Sequence, residues 1–268
     1  MEYCAIINVR NGHCSENCAF CAQSAHHGNV EQPYELVDES ILFAKADVLA
    51  KAGVQRYSLV ASGGYAEDSF IERLAPIFEK LARDYPMALC ASLGILTPAQ
   101  AQRLKDVGVV RYHHNLETAR SFYPQICDTH DFQERVDTVL AAQSVGLEVC
   151  SGGLWGLGES RDQRWELAEE LAQLRPDSVP INVLTAMEGT PLAGAQRLSD
   201  EEIVLSIAKY RRMIPGALLR FCGGRQQLER QVQQACIQAG IGGVMVGGYL
   251  TVDGQALEED LAFFGAPC

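Results

Sequence analysis

The sequence predicts an α/β fold, a single (β/α)8 TIM-type barrel with parallel strands and one domain over residues 1–268. Short apolar, β-branched runs alternate eight times with longer runs of helical periodicity. No Pro-, Gly- or Ser-rich linker separates the pairs, and 268 residues is an ordinary length for one such barrel.

The strand candidates, in order, are Tyr3 to Val9, Arg56 to Ala61, Met87 to Leu93, Val110 to Leu116, Leu147 to Gly152, Ser178 to Leu184, Leu218 to Cys222 and Gly243 to Val246. The helix candidates are Glu39 to Ala52, Ser69 to Tyr85, Pro98 to Val107, Phe132 to Val145, Asp162 to Leu174, Asp200 to Ile214, Gln226 to Ala239 and Leu257 to Phe264. Thr97-Pro98 joins an N-cap oxygen to a proline that tolerates the first helical position, and Ser199-Asp200-Glu201-Glu202 has the spacing of a capping box. Gly53, Gly108, Gly146 and Gly240 stand where helices should end.

A formal net charge of −12 argues against a nucleic-acid substrate, whose binding rests on cationic contacts to phosphates. No apolar run approaches a membrane span, and Met1-Glu2 leads straight into the first strand, so no targeting segment or membrane partner is expected and the location expected is cytoplasmic. Ten cysteines in a chain long enough to bury its own core point to metal chemistry rather than disulfides.

In a parallel barrel, function gathers where strand C-termini meet the following loops. After strand one comes Cys14-Ser-Glu-Asn-Cys18-Ala-Phe20-Cys21, three thiols in one loop that can hold three irons of a cubane and leave the fourth open to a chelating ligand. A zinc site with His26 or His27 is the alternative, although structural zinc more often pairs cysteines from two separate segments. Ser62-Gly63-Gly64, Asn115, Glu117, Gly152-Gly153-Leu154, Asn182 and Gly223-Gly224-Arg225 fall at other strand ends. Gly153-Leu-Trp-Gly156-Leu-Gly158 lacks the spacing of a dinucleotide fingerprint.

The cysteine loop, with an aromatic before its third cysteine, resembles that of the radical S-adenosylmethionine (SAM) enzymes. Cys18-Ala-Phe-Cys21-Ala-Gln-Ser-Ala, Tyr112-His-His-Asn115-Leu-Glu117-Thr, Val149-Cys150-Ser-Gly-Gly-Leu154, Gly156-Leu-Gly-Glu159, Ser178-Val-Pro-Ile-Asn182 and Gly189-Thr-Pro-Leu192 together resemble the biotin synthase family. The resemblance implies sulfur insertion into dethiobiotin, started when a reduced [4Fe-4S] cluster cleaves SAM to a 5′-deoxyadenosyl radical. It implies Cys14, Cys18 and Cys21 as cluster ligands, and Phe20, Ser62, Gly63, His114, Asn115, Glu117 and Leu154 around SAM. It implies His113, Asn115 and Asn182 around dethiobiotin; His113 and Glu117 depart from the family's usual asparagine and aspartate. Flavodoxin or ferredoxin is the expected kind of electron donor, and a homodimer is left open.

The family draws its sulfur from a second, auxiliary iron–sulfur cluster held by three cysteines and an arginine, which match here to Ser58, Cys90, Cys150 and Arg225. A serine hydroxyl is a poor substitute for a soft thiolate. Cys4 and Cys222 are further strand cysteines, so Cys4, Cys90, Cys150 and Cys222 can surround one cluster, of four irons rather than the [2Fe-2S] form, with Arg225 beside it. Cys4 and Cys222 as plain buried hydrophobes is the other reading. Arg56 and Ser178 are expected just outside that cluster, while Cys127, Cys236 and Cys268 carry no assigned role. Rival readings are a methylornithine synthase-like or hydrogenase maturase-like radical enzyme, or a non-catalytic sulfur carrier.

Overall fold

Period-two alternation gives each strand two faces of different chemistry, and closing the sheet turns one of them inward. The computed structural model describes residues 1–27, 33–248 and 256–265; Cys268 lies outside them. The strands are β1 (Glu2–Arg10), β2 (Arg56–Ala61), β3 (Ala88–Ser92), β4 (Val109–His113), β5 (Glu148–Cys150), β6 (Gly153–Trp155), β7 (Ser178–Val183), β8 (Leu218–Phe221) and β9 (Gly243–Met245). The helices are α1 (Glu39–Lys51), α2 (Asp68–Asp84), α3 (Pro98–Asp106), α4 (Phe132–Ser144), α5 (Arg161–Leu174), α6 (Asp200–Met213), α7 (Arg230–Ala239) and α8 (Leu257–Phe264). All strand pairings are parallel, and contacts of β5 with both β4 and β7 close the ring. Among the described residues no helix is long and apolar enough to cross a membrane.

Three local expectations change. The fifth strand run, Leu147 to Gly152, shortens to β5, and β6 follows as a strand the sequence did not predict; between them Gly152 passes so close to the Pro180 carbonyl that a Cβ would collide with it. Helix α7 begins at Arg230 rather than Gln226: Gly224 turns at φ 80°, and residues 225–227 make a single 3-10 turn. Thr97 and Gln100 form a full capping box on α3, but Ser199 caps α6 in one direction only, because the Glu202 carboxylate is held by Arg161 and by Arg164, the latter at 2.5 Å.

Outward residues such as Tyr3, Ala5, Tyr57, Leu59, Leu89, Val179 and Val244 pack with the helices in one large core. Inward residues form a separate cluster of Cys4, Ile6, Cys222 and Met245 with Val60. The floor is ionic. Glu2 accepts from Arg220, from Arg56 Nε at 3.0 Å and from Arg111 at 3.4 Å, while Glu148 binds Arg111 at 2.8 Å and Arg56 at 3.0 Å. These cations hold the Glu2 carboxyl down at about 2, Arg220 and Arg56 outweighing the opposing effect of burial.

Candidate active site

Above that floor the barrel opens into a cavity of about 350 Å³. Its rim is the loop after β1, where Gly12 (φ 80°) and His13 (φ 54°) reverse the chain into Cys14. The loop folds on itself through Cys14 N to Gln23 O at 3.1 Å, Ala25 N to Cys14 O at 2.8 Å and Cys21 N to Cys18 O at 2.9 Å. Cys14, Cys18, Phe20 and Cys21 all face the cavity. Burial raises the Cys14 thiol and pushes Cys21 up to about 11. His26 Nε2 lies 3.0 Å from Ser15 O and His27 Nε2 3.1 Å from Cys18 O, so both rings are committed to backbone.

The remaining rim residues divide between the cavity and its scaffold. Ser62 donates to Gly12 O at 2.7 Å and clamps the loop after β2 onto that after β1; Gly63 follows at φ 132°, against Arg10. Glu117 adopts φ 70°, its carbonyl accepts from Leu154 N at 2.8 Å, and its carboxylate lies 3.5 Å from Arg135 and from Asn115 Nδ2. Burial raises the Glu117 carboxyl, with Arg135 opposing. Asn182 donates to Gly153 O at 3.0 Å and accepts from Gly223 N at 2.9 Å, leaving one N–H and one lone pair for a ligand. Burial holds His113 down to about 3 and His114 well below its usual value, so both rings are neutral, and the Nε2 of each is buried without a partner among the described residues.

Beneath the cavity lies a layer of thiols. Cys4 is 2%, Cys90 0%, Cys150 1% and Cys222 7% exposed. Burial pushes Cys90 up to about 12 against the pull of Arg56 and Arg111, and raises Cys150 against Arg220 and Arg111. Burial also raises Cys222, reinforced by Cys4. Ser178 stands at Cys150 and Arg56 at Cys90, as expected of neighbours to that layer. Arg225 is tied to α8: it donates to Met245 O at 3.1 Å and to Asp260 at 2.5 Å, lies 5.3 Å from the Phe264 ring centre, and its charge acts on Cys222 less than that of Arg220 does. The guanidinium set among the thiols is that of Arg220, whose charge Cys4, Cys150, Cys222 and Glu2 support against burial. Sequence reasoning missed Arg220, although it sits two residues before Cys222 and therefore shares its inward face. It also missed Arg111, Arg135 and the pair Cys127 and His130, which meet Cys18 at the rim.

The donor sets fit the groups the chemistry calls for. Three thiols on one cavity-facing loop suit an open-iron cubane, and His113, His114 and Gln23, each with a nitrogen unpartnered among the described residues, line the space a polar ligand would fill. In the lower layer, thiols lie beside buried Arg220 Nε, Arg56 Nη1 and Ser58 Oγ, which have no partner among the described residues, as expected where an anionic cluster is to be held.

A parallel barrel with such a loop at its mouth is that of a radical SAM enzyme. Residues 9–171 match the Radical SAM superfamily and residues 180–266 the Biotin and Thiamin Synthesis associated domain. The chain is 46% identical to biotin synthase of Pelotomaculum thermopropionicum, over 97% of this chain and 81% of that protein. It is 44% identical to biotin synthase of Geobacter sulfurreducens, over 97% and 79% respectively. It belongs to the biotin synthase family. The [FeFe]-hydrogenase maturase HydG from Carboxydothermus hydrogenoformans aligns with TM-score 0.82 and 18% identity, over 98% of this chain and 65% of that one. Methylornithine synthase (PylB) aligns with TM-score 0.78 and 21% identity, over 96% and 75%. At such identities the shared property is the barrel.

Proposed function

We propose that this biotin synthase family enzyme inserts sulfur from an auxiliary iron–sulfur cluster into dethiobiotin, with Cys14, Cys18 and Cys21 holding the [4Fe-4S] cluster to which SAM binds. Cys4, Cys90, Cys150 and Cys222 are the proposed auxiliary ligands, and Arg220 takes the place beside them that sequence matching gave to Arg225. When bound, the reduced cluster and SAM supply the radical that removes hydrogen from carbon. The chain's own residues bind and shield. Glu117, turned in by its left-handed backbone, accepts from ribose hydroxyls; Phe20 and Leu154 cover the adenosine; Ser62 and Gly63 keep the loop close to the methionine part. Asn115 and the spare donor and acceptor of Asn182 meet the ureido group, and neutral His113 adds one hydrogen bond.

The single observation carrying this reading is the stacking inside one barrel of a cysteine loop, a largely apolar cavity with a few convergent polar side chains and, below it, a thiol layer backed by arginines. A carrier of sulfur alone would have no need of the middle layer. The test is anaerobic reconstitution with dethiobiotin, SAM and a reductant such as reduced flavodoxin or ferredoxin, followed by mass spectrometry. Biotin with 5′-deoxyadenosine is expected; deoxyadenosine without biotin would move the substrate elsewhere, and neither product from loaded protein would favour the carrier.

A further inference from the structure

Beside Cys18 stands a set of metal-binding side chains that the two clusters leave unused. Cys127 Sγ lies 3.7 Å from Cys18 Sγ and 3.3 Å from His130 Nδ1. Glu16 Oε2 lies 2.6 Å from the same Nδ1. All four residues are buried, between 5% and 7% exposed. Glu16 and Cys18 come from the loop after β1, Cys127 and His130 from the segment between β4 and α4. Backbone and side-chain bonds lock the two together: Ala19 N to Ile126 O at 2.8 Å, Asn17 N to Thr129 Oγ1 at 3.2 Å and Asn17 Nδ2 to Asp128 Oδ1 at 2.5 Å.

Around a tetrahedral ion with bonds of about 2.0–2.3 Å, donor atoms stand roughly 3.3–3.8 Å apart. The thiol–thiol and thiol–imidazole separations already have that spacing, and the Glu16 carboxylate, 2.6 Å from the imidazole, stands beside the three donors. The other ring nitrogen, His130 Nε2, is 2.7 Å from Tyr123 Oη, which also accepts from Arg135 Nε at 2.6 Å. A ligating histidine is typically steadied in this way through its second nitrogen.

We propose that Cys18, Cys127 and His130, with Glu16 beside the imidazole, form a site for one divalent cation of the Fe2+ or Zn2+ class, filled in the cluster-free chain and emptied when the cluster takes Cys18. Two thiolates and an imidazole suit these ions, with a fourth position left for water. Binding releases the thiol protons; on displacement Cys18 leaves as thiolate for cluster iron and Cys127 regains a proton. An iron ion arriving at the rim is thereby held one ligand away from the loop that needs it. The displacement step, unlike the site itself, rests on Cys18 being a cluster ligand.

The experiment titrates Co2+ into the full-length, cluster-free chain under anaerobic conditions and follows thiolate-to-cobalt absorption. One Co2+ per chain is expected, retained in a Cys14→Ala/Cys21→Ala chain and released when iron and sulfide load the unmodified protein. Cys127→Ala should weaken binding by about 100-fold and Tyr123→Phe by roughly 10-fold. His130→Gln provides a second ligand variant should Cys127→Ala lose its far-UV dichroism. Cobalt binding that survives Cys127→Ala and His130→Gln, that disappears in the Cys14→Ala/Cys21→Ala chain, or that persists after the cluster has loaded would overturn the proposal. Failure of the unmodified chain to load iron and sulfide would strike the cluster assignment instead, since the Cys14→Ala/Cys21→Ala chain reports cobalt without it.

Discussion

Ser58 faces Cys90 in register across β2 and β3, and its hydroxyl is fully buried without a hydrogen-bond partner among the described residues. An unpaired buried hydroxyl costs on the order of 1–3 kcal/mol. Ser58→Ala should therefore stabilise the cluster-free chain by about 1 kcal/mol in urea unfolding and leave iron and sulfide per chain unchanged. Cys4→Ala, Cys90→Ala or Cys222→Ala should each lower that count. Iron lost in Ser58→Ala would make the serine a ligand, and an unchanged count in a cysteine variant would remove that residue from the site.

The barrel floor gives a pH dependence with a definite sign. The Glu2 carboxyl is held at about 2, below its usual 4.5, by Arg220 and Arg56. Its contribution is thus complete above pH 4.5 and is lost as pH falls through about 2. Glu2→Gln should cost on the order of 2 kcal/mol at neutral pH, discounted because the carboxylate is partly exposed, and almost nothing near pH 2. Guanidinium unfolding of both proteins across that range checks this; a penalty independent of pH would mean that Glu2 acts by packing alone.

Gly153 has no room for a side chain: a Cβ would stand 2.6 Å from the Glu117 carbonyl and 2.5 Å from Leu167. Gly153→Ala must push apart the Leu154 N to Glu117 O bond, which at 2.8 Å joins two residues assigned to the adenosine. A loss of about 1.4 kcal/mol there weakens SAM binding tenfold. Equilibrium dialysis of SAM against the reconstituted variant should show this with iron content unchanged; wild-type affinity would detach Glu117 and Leu154 from the cofactor.

How much of this was legible in the sequence follows from the range of each interaction. The eight repeats rest on local periodicity, and the inward thiols Cys4, Cys90 and Cys150 on alternation, so both were readable. The break at Gly152 was not, because it arises from Pro180, twenty-eight residues away and on a different strand. The half-formed cap at Ser199 depends on Arg161 and Arg164 of the preceding helix, and the meeting of Cys127 with Cys18 joins residues 109 apart. Motif spacing describes one segment at a time, and these features belong to pairs of segments.

The choice between Arg220 and Arg225 turns on the same distinction and can be put to the test. Asp260 is 0% exposed; among the described residues Arg225 and Gly247 N, the latter at 3.1 Å, supply the hydrogen bonds to its Oδ2. Arg225→Ala should then cost about 3–5 kcal/mol, since it leaves a carboxylate buried without its cation, and Arg225→Met with Asp260→Leu should recover most of that stability. The double variant should keep its full iron and sulfide content, because Arg225 acts on Cys222 less than Arg220 does and is tied instead to Asp260. Arg220→Met should instead alter the visible spectrum of the auxiliary cluster, the guanidinium beside Cys4, Cys150 and Cys222 being gone. Should the double variant lose auxiliary iron while Arg220→Met retains its spectrum, the arginine at the cluster is Arg225, and the barrel must rearrange around that cluster as it binds.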